Sequence, residues 1–173
     1  ISNEGFADLK GKNVGVVINH TSVNQNGDHL LKLAHDKGVR IKAVFTPEHG
    51  LKGVAGAGGK VEDGVESLTG APIYSLYGKT KKPTTEMLSE IDILVFDIQD
   101  IGVRYYTYLS TLTYIMEAAV ENKIPLLILD RVNPLGREVR GPMLDLEFAS
   151  FVGLHPIPVL HGMTMGELAQ MIN

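Results

Sequence analysis

The strongest constraint on the fold is a series of short, continuously apolar runs separated by amphipathic segments. Ile93–Ile98 reads ILVFDI, and comparable runs occupy Val14–Ile18, Ile41–Phe45 and Ile124–Leu129. Continuous apolar strands that alternate with helices are typical of a mainly parallel sheet with helices on both faces. The sequence therefore predicts an α/β fold.

Helical periodicity and cap residues mark the segments between these strands. Leu109–Val120 has apolar residues at spacings of three, four and seven, which predicts a long amphipathic helix. Thr164 and Glu167 fit a capping box before a further helix. Shorter helices are predicted around Leu30–Ala34 and Met87–Ile91, and additional short strands at Ile73–Tyr77 and Val159–Leu160.

Composition excludes several classes of function. The chain has 173 residues, a net charge of −4 and no basic run, so we expect no nucleic-acid partner. No apolar stretch approaches the roughly 18 residues of a membrane span. The absence of cysteine excludes disulfides, zinc–thiolate sites and thiol catalysis.

The ends of the chain suggest a larger protein. The sequence starts at Ile1 rather than at methionine, and it stops at Asn173, within the predicted last helix. We expect residues 1–173 to be one domain, the N-terminal part of a longer protein.

Polar and ionisable residues follow five of the predicted strands. Ligands of open α/β sheets bind outside the carboxyl ends of the strands, so these residues are expected to meet at one edge of the sheet. The candidates are Asn19, His20 and Thr21 after the first strand, Glu48 and His49 after the second, Asp97, Gln99, Asp100, Arg104, Tyr105 and Tyr106 after Ile93–Ile98, Asp130, Arg131 and Asn133 after the next, and His161 after the last.

Structural roles are open for most of these residues. Asn19 and Thr21 suit a turn or a helix cap, and His20 and His161 suit hydrogen-bonded scaffold histidines. A carboxylate at a strand end commonly binds neighbouring backbone N–H groups, which is the structural alternative for Asp97. Asp130 has a similar alternative in an ion pair with a nearby arginine, and the NPLG sequence that begins at Asn133 is a turn signal.

Glu48 is the candidate for which the functional interpretation is favoured. The preceding Pro47 restricts the backbone and Gly50 frees it just afterwards. A carboxyl group held at a strand end beside an imidazole, with aromatic residues nearby, suits a general acid.

Motifs for nucleotide and metal binding are not complete. The glycine-rich loop Gly53–Gly59 lacks the Lys-Ser/Thr of a P-loop, and no G-x-G-x-x-G opens the helix after the first strand. We therefore expect no cofactor. A metal-dependent hydrolase using His20, Glu48, His49 and His161 is a further alternative, although these residues lack the H-E-x-x-H spacing.

Several long motifs resemble one known family. They are NHTSVNQNGDHL, FTPEHGLKG, VFDIQDIGVRYYTYLSTL, LDRVNPLG, VRGPMLD and FVGLHPIPVLHGMTMGELA, in this order from about Val14 to the last residue. The sequence is similar to the exo-β-N-acetylmuramidases of the NamZ type, once catalogued as DUF1343. The resemblance implies a Rossmann-like catalytic N-terminal domain, followed by a C-terminal domain that this chain lacks.

The resemblance also implies a reaction. Such enzymes release N-acetylmuramic acid from the non-reducing ends of peptidoglycan fragments, and the glutamate of the PEHG motif, here Glu48, is the expected catalytic residue. The second group is Asp97, Asp100 or Asp130, or else the substrate's own 2-acetamido group.

Binding roles follow from the chemistry of that substrate. Arg104 or Arg131 is a candidate partner of the lactyl carboxylate, and Tyr105 and Tyr106 are candidates for contact with the sugar ring. The substrate lies outside the cytoplasm, so we expect an exported protein. A sugar-binding or peptidoglycan-binding module without catalysis is the alternative function.

Overall fold

The main feature of the fold is a six-stranded sheet. The computed structural model describes residues 6–53 and 63–173. The strands of the main sheet are β1 (Asn13–Ile18), β2 (Arg40–Thr46), β3 (Gly64–Val65), β4 (Pro72–Ser75), β5 (Ile93–Asp97) and β6 (Leu126–Ile128), and a second sheet pairs β7 (Val139–Arg140) with β8 (Leu160–His161).

The strand order of the main sheet is β3-β4-β2-β1-β5-β6. Every pair is parallel except β3 with β4. The chain builds outward from β1 through β2 to β4 and then returns to the other side of β1 with β5 and β6. This is the order of a doubly wound Rossmann-like sheet, whose direction changes between β1 and β5.

Helices cover both faces of this sheet. The helices are α1 (Leu30–Asp36), α2 (Thr85–Leu88), α3 (Tyr108–Glu121) and α4 (Met165–Ile172). Buried residues of α1 pack on one face, and buried residues of α2, α3 and α4 pack on the other. No helix in the described part of the chain is long and apolar enough to cross a membrane.

The central strand shows why both faces are apolar. Val14, Val16 and Ile18 belong to the cluster on the α1 face, whereas Val17 belongs to the cluster under α3. Gly15 points towards that second cluster, where a Cβ atom would lie 2.9 Å from Leu94 Cδ2. A glycine at this position therefore lets the neighbouring strand's leucine fill the space against β1.

The predicted α/β class is confirmed, and the predicted strands and helices are present with shifted ends. One expectation about the sheet is wrong. The last predicted strand, Val159–Leu160, corresponds to β8, which pairs antiparallel with β7 and is not part of the main sheet. β8 follows a long irregular segment that returns to the loop after β5. The two are joined there by a hydrogen bond of 2.8 Å from the backbone N–H of Arg104 to the Val159 carbonyl. Except for Gly53, the predicted loop Gly53–Gly59 lies outside the described residues.

Thr164 begins α4 with the predicted capping box. Its hydroxyl accepts from the Glu167 N–H, and the Glu167 carboxylate accepts from the Thr164 N–H. We expect Thr164→Ala to lower the free energy of unfolding by about 1–2 kcal/mol, since an N-cap hydroxyl is lost. Chemical denaturation measures this loss, with Thr85→Ala on the exposed side of α2 as the control. Equal stability of the two variants would contradict the expectation.

Candidate active site

The loops after β1 and β5 are joined at the point where the strand order reverses. The Ser22 hydroxyl donates to the backbone carbonyl of Asp97, and the N–H of Gln99 donates to the Thr21 hydroxyl at 3.0 Å. Asn19 is fully buried, and its side-chain oxygen accepts from the N–H and the hydroxyl of Thr21. These bonds fix the floor of the crevice in which a doubly wound sheet places its ligand.

Glu48 is held in a tight turn directly after β2. The N–H of Gly50 donates to the Pro47 carbonyl at 3.1 Å, which closes a β-turn with Glu48 and His49 at its centre. His49 has a φ of 71°, in the left-handed region that glycine usually occupies at this position of a turn. A histidine in this conformation departs from the local preference, and such departures concentrate at functional sites.

Tyr77 is the neighbour of Glu48 on the side of β4. Thr46 and Ser75 are partners in the parallel pairing of β2 and β4, and Glu48 and Tyr77 each follow by two residues. Partial burial, and then the charge of Glu48 and hydrogen bonding with it, raises the pKa of the Tyr77 hydroxyl. The Phe151 ring packs on Tyr77 with 5.9 Å between ring centroids. Register and packing together keep the phenol beside the carboxyl group.

The N-terminus of α3 supplies a second hydroxyl to Glu48. Thr107 Oγ1 lies 2.9 Å from Glu48 Oε2 and donates a hydrogen bond to it when the carboxyl group is ionised. In the next position of α3, burial above all raises the pKa of Tyr108 far beyond its ordinary value, and the adjacent Tyr106 and the charge of Glu48 add to this effect. Glu48 itself is only 8% exposed. Three hydroxyl-bearing side chains thus surround one buried carboxyl group.

Four buried polar atoms near the carboxyl ends of the strands have no hydrogen-bond partner among the described residues. They are Asn19 Nδ2, Thr46 Oγ1, Asp100 Oδ1 and the Tyr108 hydroxyl oxygen. An unpaired polar atom in a protein interior is costly, and each one calls for an explanation such as a bound water or ligand. Their concentration at one edge of the sheet is the pattern of a binding site for a polar ligand.

Asp97, the last residue of β5, forms a buried ion pair. Arg131 Nε lies 2.7 Å from Asp97 Oδ1, and the Asp97 side chain is only 4% exposed. The same guanidinium donates to the carbonyl of Val23 at 3.0 Å. Both predicted site residues therefore also have a structural task, which is to tie β5 to the loops after β1 and β6.

Asp100 is paired with His161, the second residue of β8. His161 Nε2 lies 3.3 Å from Asp100 Oδ2, and both side chains are buried. The N–H of Met163 donates to His161 Nδ1 at 3.3 Å, so Nε2 carries the proton in the neutral ring and donates to Asp100. The N–H of Gly102 donates to the same Asp100 oxygen at 2.7 Å. The other oxygen, Oδ1, is the one left without a partner.

Asp130, Asn133 and Arg104 use polar atoms to hold surrounding segments. The Asp130 carboxylate accepts from the hydroxyl of Thr164 and from the N–H of Gly166, both at 2.7 Å, at the start of α4. The amide of Asn133 donates to the carbonyl of Met163 at 3.0 Å. Arg104 Nη1 donates to two backbone carbonyls of the segment before β8. Binding of substrate by these three residues stays a prediction.

The remaining predicted residues differ in their exposure. His20 lies against the backbone of Gly53, where a Cβ atom would come 2.2 Å from the imidazole Nδ1. The loop after β1 and the loop after Glu48 are therefore in contact. Tyr105 is 54% exposed, whereas the partly buried Tyr106 packs edge-on against Tyr108 with 4.5 Å between ring centroids.

Sequence reasoning missed Tyr77, Thr107 and Tyr108 as neighbours of Glu48. A usable signal existed for Tyr77, because it stands two residues after β4 as Glu48 stands two residues after β2. Thr107 occupies the N-cap position of α3, where a threonine is normally assigned to helix capping. Its contact with Glu48 depends on how α3 packs on the sheet, which periodicity does not specify.

Two further features of the described residues are the arrangement of possible metal ligands and the position of a cleft beside the sheet. Within residues 6–53 and 63–173, no group of three or more His, Asp or Glu side chains is arranged to hold a metal ion. A cleft of about 800 Å³ beside β6 is lined by Asp97, Asp130 and Arg131 among others, and Glu48 is not part of its lining. The candidate site around Glu48 is therefore separate from this cleft and consists of side chains that converge at the edge of the sheet.

Comparisons with known proteins agree on one relationship. Residues 14–173 match the family model described as "Exo-beta-N-acetylmuramidase NamZ, N-terminal". Peptidoglycan beta-N-acetylmuramidase NamZ of Bacillus subtilis (strain 168) is 52% identical over 167 residues, which are 95% of this chain and 40% of that relative.

Solved structures show the same fold. Crystal structures of two DUF1343 family proteins from Bacteroides fragilis NCTC 9343 match with TM-scores of 0.89 and 0.84, at 44% and 41% identity. They are matched over 99% of this chain and over 43% and 44% of their own. The chain thus spans less than half the length of these relatives.

Proposed function

This chain belongs to the NamZ N-terminal family, and on this premise we propose that it is the catalytic domain of an exo-β-N-acetylmuramidase. Such a glycoside hydrolase releases N-acetylmuramic acid from the non-reducing end of peptidoglycan fragments. The relative at 52% identity is named as a peptidoglycan β-N-acetylmuramidase, which supports this reaction.

One observation carries the assignment of the catalytic group. Glu48 is a buried carboxyl residue at the carboxyl edge of a parallel sheet, and the Thr107 hydroxyl lies 2.9 Å from it. We assign Glu48 as the general acid that protonates the leaving oxygen of the glycosidic bond. The unpaired buried atoms Thr46 Oγ1 and Asp100 Oδ1 support a polar ligand at this edge of the sheet.

Asp100 is the second group that the contacts favour. Asp97 is paired with Arg131, and both oxygens of Asp130 accept hydrogen bonds at the start of α4. Asp100 Oδ1 is buried without a partner, while Oδ2 is oriented by His161 and Gly102. We propose that Asp100 Oδ1 accepts the N–H of the substrate's 2-acetamido group.

The strand order bears on the mechanism. The loops with Glu48 and Asp100 follow β2 and β5, which are separated by β1, so the strand ends lie about 10 Å apart. Carboxyl groups of retaining enzymes that form a covalent intermediate lie only about 5–5.5 Å apart. The wider spacing of the strand ends supports attack by the substrate's acetamido group over attack by Asp100, and the stereochemistry of the first product distinguishes this route from an inverting reaction with Asp100 as the base.

The proposed reaction has two steps. The acetamido carbonyl oxygen bonds to the anomeric carbon as the glycosidic bond breaks, and Glu48 gives its proton to the leaving oxygen. Water then bonds to the anomeric carbon of the oxazolinium ion as the bond from that carbon to the acetamido oxygen breaks, and the water transfers a proton to the Glu48 carboxylate, which restores the acetamido group and the acid. Two displacements at one carbon retain its configuration.

Two wider proposals follow from the comparisons. Because the chain spans 40% of the length of the Bacillus subtilis relative, we propose that a C-terminal domain is its partner and completes the walls of the cleft. Since peptidoglycan lies in the cell wall, we propose that the protein works outside the cytoplasm, in the periplasm or the extracellular space.

The stereochemistry of the first product tests the proposed mechanism. A muramic acid β-glycoside is incubated with this chain and, in parallel, with the full-length Bacillus subtilis relative, and proton NMR follows the anomeric signal. We expect release of β-N-acetylmuramic acid as the first anomer. Initial formation of the α-anomer would exclude substrate assistance, whereas saturable binding without product in both proteins would indicate a binding module.

A further inference from the structure

Thr107 is at the N-cap position of α3, yet its side chain makes no capping hydrogen bond to the helix. Threonine is favoured at this position because its hydroxyl accepts from a free N–H group in the first turn. Thr84 and Thr164 do so at the starts of α2 and α4. At α3 the hydroxyl is instead 2.9 Å from Glu48 Oε2.

Thr107 differs from the other two threonine caps in its backbone conformation as well as in its hydroxyl contact. Thr107 has φ −67° and ψ −8°, a helical conformation, whereas Thr84 and Thr164 have the extended conformation of ordinary caps. The hydroxyl of Thr107 is thereby directed at the turn after β2, across 59 residues of sequence. The contact joins the helix on one face of the sheet to the carboxyl group at its edge.

We infer that Thr107 is a positioning residue for Glu48, whose hydroxyl holds the carboxyl group in one orientation while it gives up and regains its proton. This inference rests on the proposed function of Glu48 as a general acid. The Thr107 hydroxyl can donate to Oε2 of the ionised carboxyl group, and it can still do so when the acid's proton is on Oε1 and available for the leaving oxygen. The same contact is therefore able to persist in both steps of the reaction.

Two phenol groups and an imidazole also belong to the surroundings of the carboxyl group. Tyr77 and Tyr108 face Glu48 from the loop after β4 and from α3, and burial is the main reason why both have a raised pKa. His49 is adjacent in the chain and has its backbone in the left-handed conformation. The Thr107 hydroxyl lies 2.9 Å from Glu48 Oε2 and makes no competing side-chain bond at the start of its own helix.

Thr107→Val tests the inference in this chain and at the aligned position of the full-length Bacillus subtilis relative. The change preserves shape and removes the hydroxyl, so we expect kcat to fall about tenfold with little change in KM. Loss of a donor to the ionised carboxyl group should raise its pKa, which moves the alkaline limb of the kcat/KM profile up by about one pH unit. Thr107→Ser should restore both values.

Thr111→Val is the matched control. Thr111 is a buried threonine one turn further along α3, and its hydroxyl donates to the backbone carbonyl of Thr107 at 3.3 Å. We expect an unchanged alkaline limb for this variant. If Thr107→Val has the same limb and kcat as Thr111→Val while Glu48→Gln is inactive, the inference is overturned and the proposed function stands. If Glu48→Gln is fully active, the assignment of Glu48 as the general acid fails and the inference fails with it, whereas absence of product from both wild-type proteins would contradict the proposed function itself.

Discussion

Replacement of Glu48 by glutamine is expected to lower kcat by a factor of about 10²–10⁴, the usual contribution of a positioned general acid. Glutamine has nearly the same shape and can still contact the Thr107 hydroxyl, which lies 2.9 Å from Oε2 in the wild-type protein. It has no proton to give to the leaving oxygen. The rate of N-acetylmuramic acid release measures the effect, in this chain and at the aligned glutamate of the longer Bacillus subtilis relative.

Glu66 offers a matched control for this experiment. It has the same exposed fraction as Glu48, 8%, but its carboxylate accepts hydrogen bonds from Leu68 and Thr69 at the edge of the sheet. Glu66→Gln is expected to reduce stability without a large change in kcat. Near-normal turnover by a folded Glu48→Gln variant would remove Glu48 from the mechanism.

Arg131→Met is expected to lower the free energy of unfolding by about 3 kcal/mol. The side chain of Asp97 is 4% exposed and that of Arg131 is 24% exposed, so removal of the guanidinium leaves a buried carboxylate without its ionic partner. The hydrogen bond to the Val23 carbonyl is lost as well. Chemical denaturation at neutral pH gives the stability difference.

The double variant Asp97→Leu with Arg131→Met provides the control. Replacement of both members of a buried ion pair by apolar residues of similar size is often neutral or stabilising, so most of the lost stability should return. A single Arg131→Met variant that loses under about 1 kcal/mol would show that solvent screens the pair, as it does for ion pairs at a protein surface.

The strands and helices along the chain were predictable because the burial of each element leaves a pattern in its own residues. A strand that is covered on both faces must be apolar along its buried length, as β5 is from Ile93 to Phe96, and this signal is independent of the rest of the chain. The position of Glu48 near the end of a strand follows from the same local pattern. The parallel pairing then brings the strand ends to one edge without further information.

The roles of individual side chains were less predictable, because they depend on lateral neighbours. Tyr77 is beside Glu48 only because β4 pairs with β2 in the register of Thr46 with Ser75. Strand order is not encoded in the periodicity of either strand. Arg104 was a candidate for a substrate carboxylate, yet its Nη1 binds the carbonyls of Pro142 and Ile157, whose positions depend on a long irregular segment.

The left-handed backbone conformation of His49 destabilises the loop that carries the proposed general acid. A side chain in that region costs roughly 1–2 kcal/mol that glycine would avoid. Selection for stability alone would favour glycine there, and two successive glycines would leave the carboxyl group of Glu48 on a looser support. If the loop acts as proposed, His49→Gly should stabilise the folded protein and lower the activity.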